Sequence, residues 1–331
     1  MRNKIEPGRI TFGPIPSRRL GRSLGINHIP PKICTYSCVY CQVGKTLRLT
    51  NKRQVFYDPE EIRTRVVERV KELRKQGERV DYLSFVPDGE PTLDTNLGKE
   101  IGLLKNPGNG VGLGLDIPVA VITNGTLITI PEVREDLKKA DWVSFKVDSV
   151  TERCWRRIDR PHPALNLSDI LSGMIEFNKD YKGELNTETM LIQGINDDEG
   201  EIKRISEFIN KLAPVRAYIS IPTRPPALKL AKPPSEEMIN RAYSIFRGVI
   251  NRVELLIGYE GNEFAGSGNV RNDILDITAV HPMKEEAVRE MLKKTGEDWE
   301  IISLMIDRGE IIETSFAGSR FFMRTLPERE K

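Results

Sequence analysis

The chain has 331 residues, long for one compact domain and comfortable for a large domain plus a small one. Hydrophobic residues make up 39% and charged residues 30%, which allows a sizeable core and excludes wholesale disorder. Net charge is only +2, yet residues 1–53 hold eleven Lys or Arg against the single acid Glu6, a local +10 that leaves −8 for the remainder. No apolar run approaches the roughly 20 residues that span a bilayer, and Met1-Arg2-Asn3-Lys4 leads into Pro7-Gly8-Arg9 rather than an apolar leader. A soluble cytoplasmic protein without membrane contact is expected. The cationic segment suggests an anionic partner or substrate on that face, with ion pairs inside the fold as the alternative.

In chain order, a first strand is expected near Leu24–Ile29. Asp58-Pro59-Glu60-Glu61 is a helix start, with Asp58 as cap, Pro59 at N1 and Glu61 in the capping-box position. Ile62, Val66, Val70 and Leu73 form its apolar stripe, and Gly77 ends it. Strands are expected at Val80–Val86, Val119–Thr123, Trp142–Val147, Glu184–Leu191, Arg216–Ile221 and Val253–Ile257. Helices are expected near Thr95–Lys105, Pro131–Lys139, Ser168–Lys179, Glu199–Leu212 and Ser235–Ile250. About six βα units predict an α/β fold whose parallel sheet is open or curled into a partial barrel, with functional loops at the C-terminal strand ends. The glycine-rich segment 106–115 lacks the ending of a phosphate loop and reads as a flexible insertion. Residues 258–269 read as a linker between a core at 1–257 and a module at 270–331. There, helical patterns at Ile274–Ala279, Met283–Thr295 and Trp299–Asp307, then strands at Glu310–Phe316 and Arg320–Thr325, describe a winged helix-turn-helix. Its candidate recognition helix opens on Glu297-Asp298, and residues 270–331 carry net −3, which argues against DNA binding by this module.

Four cysteines, three of them within eight positions, do not make a secreted disulfide framework. Cys34, Cys38 and Cys41 form CxxxCxxC with Tyr40 before the last cysteine. Thiolates are the natural ligands of iron–sulfur clusters, and three on a short loop can hold three irons of a cubane and leave the fourth open. A zinc knuckle with His28 as fourth ligand is the competing reading of the spacing.

This motif resembles that of the radical S-adenosylmethionine (SAM) superfamily. The resemblance implies a partial (β/α)6 barrel, a [4Fe–4S] cluster on the three cysteines and SAM chelated by the open iron. Reductive cleavage of SAM to methionine and a 5′-deoxyadenosyl radical is the implied activity. The family's GGE-type motif corresponds to Asp88-Gly89-Glu90, with Asp88 in place of the usual small residue and Gly89 and Glu90 placed at the SAM amino group. Thr123-Asn124, Lys146, Asp148, Thr187 and Glu188, at or near strand ends, match positions that line the rest of SAM, and Tyr40 completes the set. Gly13–Gly21, Ser23–Ile26, Pro31-Lys32 and Tyr40–Gly44 resemble stand-alone radical SAM proteins loosely grouped with tRNA wyosine synthases. The second cluster of those synthases has no cysteines here, since only Cys154 is left over. Cys154 reads as a buried small hydrophobe or, less simply, a substrate-facing thiol. Arg18 and Arg19 read as structural ion pairs or as anion ligands. The expected function is modification of an RNA, peptide or metabolite, with a glycyl-radical activase as the alternative. Flavodoxin or ferredoxin is the expected electron donor.

Overall fold

A computed structural model describes residues 10–105, 117–258, 264 and 269–325. The glycine-rich insertion, most of the expected linker and the cations Arg2, Lys4 and Arg9 lie outside these residues. The chain begins with β1 (Thr11–Ser17), β2 (Gly21–Ile26), β3 (Ile33–Cys34) and β4 (Arg48–Leu49). It continues with α1 (Pro59–Lys75), β5 (Tyr82–Phe85), a 3-10 turn at Pro91–Leu93, α2 (Leu97–Lys105), β6 (Val119–Thr123) and α3 (Pro131–Leu137). Then come β7 (Trp142–Lys146), α4 (Glu152–Ile158), α5 (Leu167–Asp180), β8 (Glu184–Met190), α6 (Glu199–Leu212) and β9 (Arg216–Ser220). The core ends with α7 (Glu236–Arg247) and β10 (Val253–Leu256).

Eight strands form one curled sheet in the order β1-β2-β5-β6-β7-β8-β9-β10. All neighbours pair in parallel except β1 with β2. The sheet is a partial barrel. Strand alternation divides its side chains. Leu83, Phe85, Val121, Val143, Phe145, Leu185 and Ile219 face the helices and share a core with the α1 stripe of Ile62, Val66, Val70 and Leu73. Each fully buried aliphatic of that core contributes about 1.5–3 kcal/mol. On the concave face, Tyr82, Ala120, Trp142, Tyr218 and Leu256 cluster with Leu20. The residues two positions on, Ser84, Ser144 and Ser220, are small, which leaves room in the concavity toward the C-terminal strand ends. Helix starts are set by side-chain caps: Asp58 accepts from the Glu60 N–H, Asn166 from Asp169, Asp198 from Glu201 and Ser235 from Met238.

The remaining elements are α8 (Val270–Val280), β11 (Met283–Lys284), α9 (Glu285–Thr295), α10 (Glu300–Asp307), β12 (Ile311–Phe316) and β13 (Ser319–Arg324). Their antiparallel sheet runs β11-β13-β12. This segment is not held apart from the barrel. Phe264, Ile274, Ile277, Met283, Val288 and Phe322 bury against Phe12 and Ile15 of β1. No helix among the described residues is long and apolar enough to cross a membrane.

Candidate functional site

Cys34 closes β3, and Cys38 and Cys41 follow on a loop of turns; none of the three is in a disulfide. The loop is stapled to the end of α4, where Ser37 N–H donates to Asp159 O at 3.0 Å and Val39 N–H to Ile158 O at 2.9 Å. Trp155 Nε1–H donates to the Tyr36 hydroxyl at 2.7 Å. Cys34 Sγ accepts from Tyr36 N–H at 3.4 Å and from the Asn124 amide at 3.8 Å. Burial pushes the Cys34 thiol up, helped by the Glu90 charge, and pushes Cys38 up with the Asp159 carboxylate beside it. Cys38 Sγ lies 3.5 Å from Asp159 Oδ1.

The loop after β5 presses against this segment. Lys32 N–H donates to Asp88 O at 2.7 Å and Glu90 N–H to Ile33 O at 3.2 Å. A Cβ on Gly89 would stand 1.9 Å from Ile33 O, so only glycine permits the approach. The Glu90 carboxylate is 1% exposed. It accepts from Thr92 N–H at 3.0 Å, Thr92 Oγ1 at 2.6 Å, Thr123 Oγ1 at 2.5 Å and Asn124 N–H at 2.8 Å. Burial raises its pKa while these four donors pull it down. Glu90 therefore ties the β5 loop to the end of β6. Asn124 in turn donates to Thr35 Oγ1, inside the cysteine loop, at 2.7 Å.

A third group gathers at the ends of β7 and β8. Lys146 Nζ lies 3.1 Å from Glu188 Oε1 and 3.5 Å from Asp148 Oδ1. It also stands 5.0 Å from the centre of the Tyr40 ring, whose hydroxyl donates to Asp148. Arg19 pairs with Glu188, and Ser220 Oγ donates to Glu188 Oε1 at 3.0 Å. Burial opposes the Lys146 charge, but Asp148 and Glu188 hold its pKa up at about 12. Burial likewise opposes the Glu188 charge, and Arg19 and Lys146 override it to give about 2. The structure thus joins Tyr40, Lys146, Asp148 and Glu188, and separately Glu90, Thr123 and Asn124. It does not bring Thr187 into either group. Thr187 pairs in register with Phe145 on the helix-facing side, while its neighbours Asn186 and Glu188 face the concavity with Ser144 and Lys146.

Residues 29–205 match the radical SAM superfamily. The chain belongs to that superfamily. It is 49% identical over 324 residues to a UPF0026 protein of Methanocaldococcus jannaschii, covering 97% of this chain and 98% of that one. Among solved structures it resembles a radical SAM methyltransferase from Sphaerobacter thermophilus, with TM-score 0.55 and 16% identity over 78% of this chain and 68% of that one. It also resembles TYW1 with a lysine–pyruvate adduct bound, with TM-score 0.52 and 18% identity over 69% of this chain and 74% of that one. The protein is a radical SAM enzyme, and its cofactors are a [4Fe–4S] cluster and SAM. Radical SAM enzymes need an electron donor.

The residues present fit such a cofactor pair. Three thiols outside any disulfide share one loop, those of Cys34 and Cys38 desolvated, and N–H groups already point at one of the sulfurs, an arrangement that favours metal-bound thiolate. His28 does not join them: its Nε2 lies 3.2 Å from Pro91 O. On the concave face, Ser144 Oγ and Asn186 Oδ1 are buried without hydrogen-bond partners among the described residues. Cys154 is 6% exposed, packs with Val39, Ile158 and Ile192, and donates to Ile195 O at 3.3 Å, so it underlies the loop as a small hydrophobe.

Three participants escaped the sequence reading. Asp159 beside Cys38 sits in a stretch without motif, and Thr35 is an unremarked spacer of the cysteine run. His281 belongs to the C-terminal segment yet lines a cavity of about 140 Å³ with Ser23, Ser84, Arg19, Gln42 and Arg224. Only the buried, polar character of Thr35 within the motif could have signalled one of them.

Proposed function

We propose that Cys34, Cys38 and Cys41 ligate the [4Fe–4S] cluster and that the enzyme modifies a compact anionic substrate. When bound, the reduced cluster supplies the electron that splits SAM into methionine and a 5′-deoxyadenosyl radical. The chain's residues position and protect. The β5 loop, held by Gly89 and Glu90, offers SAM its backbone, because the Glu90 carboxylate is committed to four internal donors. Lys146, Asp148, Glu188 and Tyr40 provide fixed charge and hydrogen bonding for the remaining polar groups of SAM. Thr123 and Asn124 act through Glu90 and the cysteine loop.

The observation that carries the substrate reading is the cavity. Arg224 brings positive charge to a cleft of about 140 Å³, which Arg19 lines beside its partner Glu188, and the C-terminal segment walls one side through His281. A cleft of that size favours a small molecule over a glycyl-radical partner protein, whose backbone would have to enter. The donor reading rests on Lys45, Arg48 and Lys52, which are exposed beside the cysteine loop and suit an acidic flavodoxin or ferredoxin. Reduced, anaerobically reconstituted protein should convert SAM to 5′-deoxyadenosine and methionine. Metabolites and tRNA nucleosides of a deletion strain and its parent are then compared. Accumulation of one anionic metabolite is expected; a change confined to tRNA nucleosides would replace the small-molecule reading with an RNA one.

A further inference from the structure

Next to the β5 loop in the chain lies a second group of ligating side chains. His28 follows β2, Asp94 ends the turn that begins at Pro91, and Glu100 lies in the first turn of α2. One ligand atom from each stands within 4.8 Å of the others. The side chains are 0%, 0% and 1% exposed. Among the described residues, His28 Nδ1, Asp94 Oδ2 and both carboxylate oxygens of Glu100 have no hydrogen-bond partner. Buried polar atoms are almost always satisfied, and an orphaned carboxylate is among the costliest exceptions.

We propose that His28, Asp94 and Glu100 bind one divalent transition cation, zinc or manganese, at a structural site distinct from the thiol triad. One imidazole and two carboxylates are a donor set for such ions, with ligand distances of about 2.0–2.2 Å. Ligand atoms held at that distance on one tetrahedral ion stand about 3.3–3.6 Å apart, so the present spacing within 4.8 Å has to contract on binding. The outer contacts are of the kind that orient ligands. His28 Nε2 meets Pro91 O at 3.2 Å; the Ile26 carbonyl also lies near the ring, yet Nδ1 has no hydrogen-bond partner among the described residues, and Asp94 Oδ1 accepts from Asn96 N–H at 2.7 Å. The His28 ring is also fixed edge-on to Phe85, centroids 4.9 Å apart. Two carboxylates neutralise the ion. The other nearby charges form their own pair, Arg53 with Asp136 at 2.7 Å. Without a cation, burial alone would force Glu100 to stay protonated, with the Asp94 and Asp136 charges adding to the effect. The two descriptions differ in what the folded protein contains. A bound cation would pin the end of β2 and helix α2 to the turn that Glu90 and Asp94 flank.

The test is elemental analysis of untagged full-length holoenzyme, alongside a Cys34→Ala, Cys38→Ala, Cys41→Ala variant that removes cluster iron. About one equivalent of zinc or manganese per chain is expected in both, and Glu100→Gln should reduce it at least tenfold. Chelator treatment of the holoenzyme should lower Tm by several degrees, and Zn²⁺ or Mn²⁺ added back should restore it. Absence of both metals from the holoenzyme, with no uptake of Zn²⁺ or Mn²⁺ on dialysis, overturns the proposal, even if a substituted chain fails to fold. Iron lost from the triple variant while zinc or manganese remains separates this site from the cluster; iron retained there would sink the thiol assignment and leave this one standing.

Discussion

Glu90 and Glu100 lie on the same stretch of chain, both about 1% exposed, and the fold treats them in opposite ways. Facing the cysteines, Glu90 is surrounded by four donors, which offset part of the upward push of burial on its pKa. Facing α2, Glu100 has no donor among the described residues, and burial lifts its pKa to about 9. A buried carboxylate with enough N–H and O–H groups is architecture. One without them waits for a proton or a cation. The same division runs through the cations near the N-terminus. Arg19, Arg22 and Arg53 are consumed by Glu188, Glu78 and Asp136, whereas Lys45, Arg48 and Lys52 have no ion pair among the described residues.

The largest effect should come from breaking the front of the loop outright. Replacing Cys34, Cys38 or Cys41 by Ala should remove the cluster, taking iron from about four per chain to near none and SAM cleavage with it. Cys154→Ala should spare both. Iron and sulfide assays decide the matter, and full iron loading in the triple variant would remove the thiols from the site. Next in size is the tie itself. Glu90→Ala strands four donors, each orphan costing about 1–3 kcal/mol before water or rearrangement relieves it. SAM affinity should fall further than cluster occupancy, because the loop offering its backbone to SAM loses its anchor to β6. Glu90→Gln should cost less, having one acceptor oxygen for the Thr92 and Thr123 donors. In metal-stripped protein Glu100→Gln should be close to neutral, since the amide copies a protonated acid. Urea unfolding of the apo variants measures the contrast, and equal losses at the two glutamates would erase it.

Local sequence carried the chemistry better than it carried orientation. CxxxCxxC is read by spacing, and its residues reach one loop because they are neighbours in the chain. Strand ends were also legible, yet Thr187 and Glu188 could not both face one site, because adjacent strand residues point to opposite faces. The register with β7 decides between them, and register is a long-range property. The four donors around Glu90 were not legible, since they come from Thr92, Thr123 and Asn124, and the last two lie beyond a helix and a strand. Strand β1 was missed because Pro14 and Pro16 mark it as non-strand; it survives as the antiparallel edge, where proline's missing N–H is tolerated. The packing of the C-terminal segment on Phe12 and Ile15 had no signal in either segment alone.

Acid titration sharpens the comparison at a smaller scale. The folded value for Glu188, about 2, lies below the ordinary 4.5, because Arg19 and Lys146 outweigh its burial. Its contribution is therefore complete above about pH 4.5 and is lost as pH falls toward 2, amounting to at most about 3 kcal/mol. Glu188→Gln should flatten that part of the acid limb in apo-protein denaturation curves. A limb unchanged by the substitution would mean that the pair with Arg19 does not persist in solution.

The smallest effect concerns the cations that the fold leaves unpaired. Lys45 and Arg48 are exposed, and Leu47 and Leu49 beside them are exposed apolar residues at 36% and 38%. An acidic electron donor approaching the cysteine loop would meet charge first and apolar surface second. Attraction of this kind acts over about a Debye length, near 10 Å at 0.1 M salt, so it accelerates encounter and is screened by salt. Flavodoxin-driven SAM cleavage should therefore slow several-fold between low and moderate ionic strength, while dithionite-driven cleavage changes much less. Lys45→Glu with Arg48→Glu should reproduce the slowing at low salt and leave the dithionite rate unchanged, because neither residue contacts the network around Lys146. The internal control is Arg22→Glu. Arg22 is already paired with Glu78, so the change removes that pair and should register as lost stability more than as altered salt dependence. If both reductants share one salt dependence and the double reversal moves neither, the unpaired cations are not a docking face.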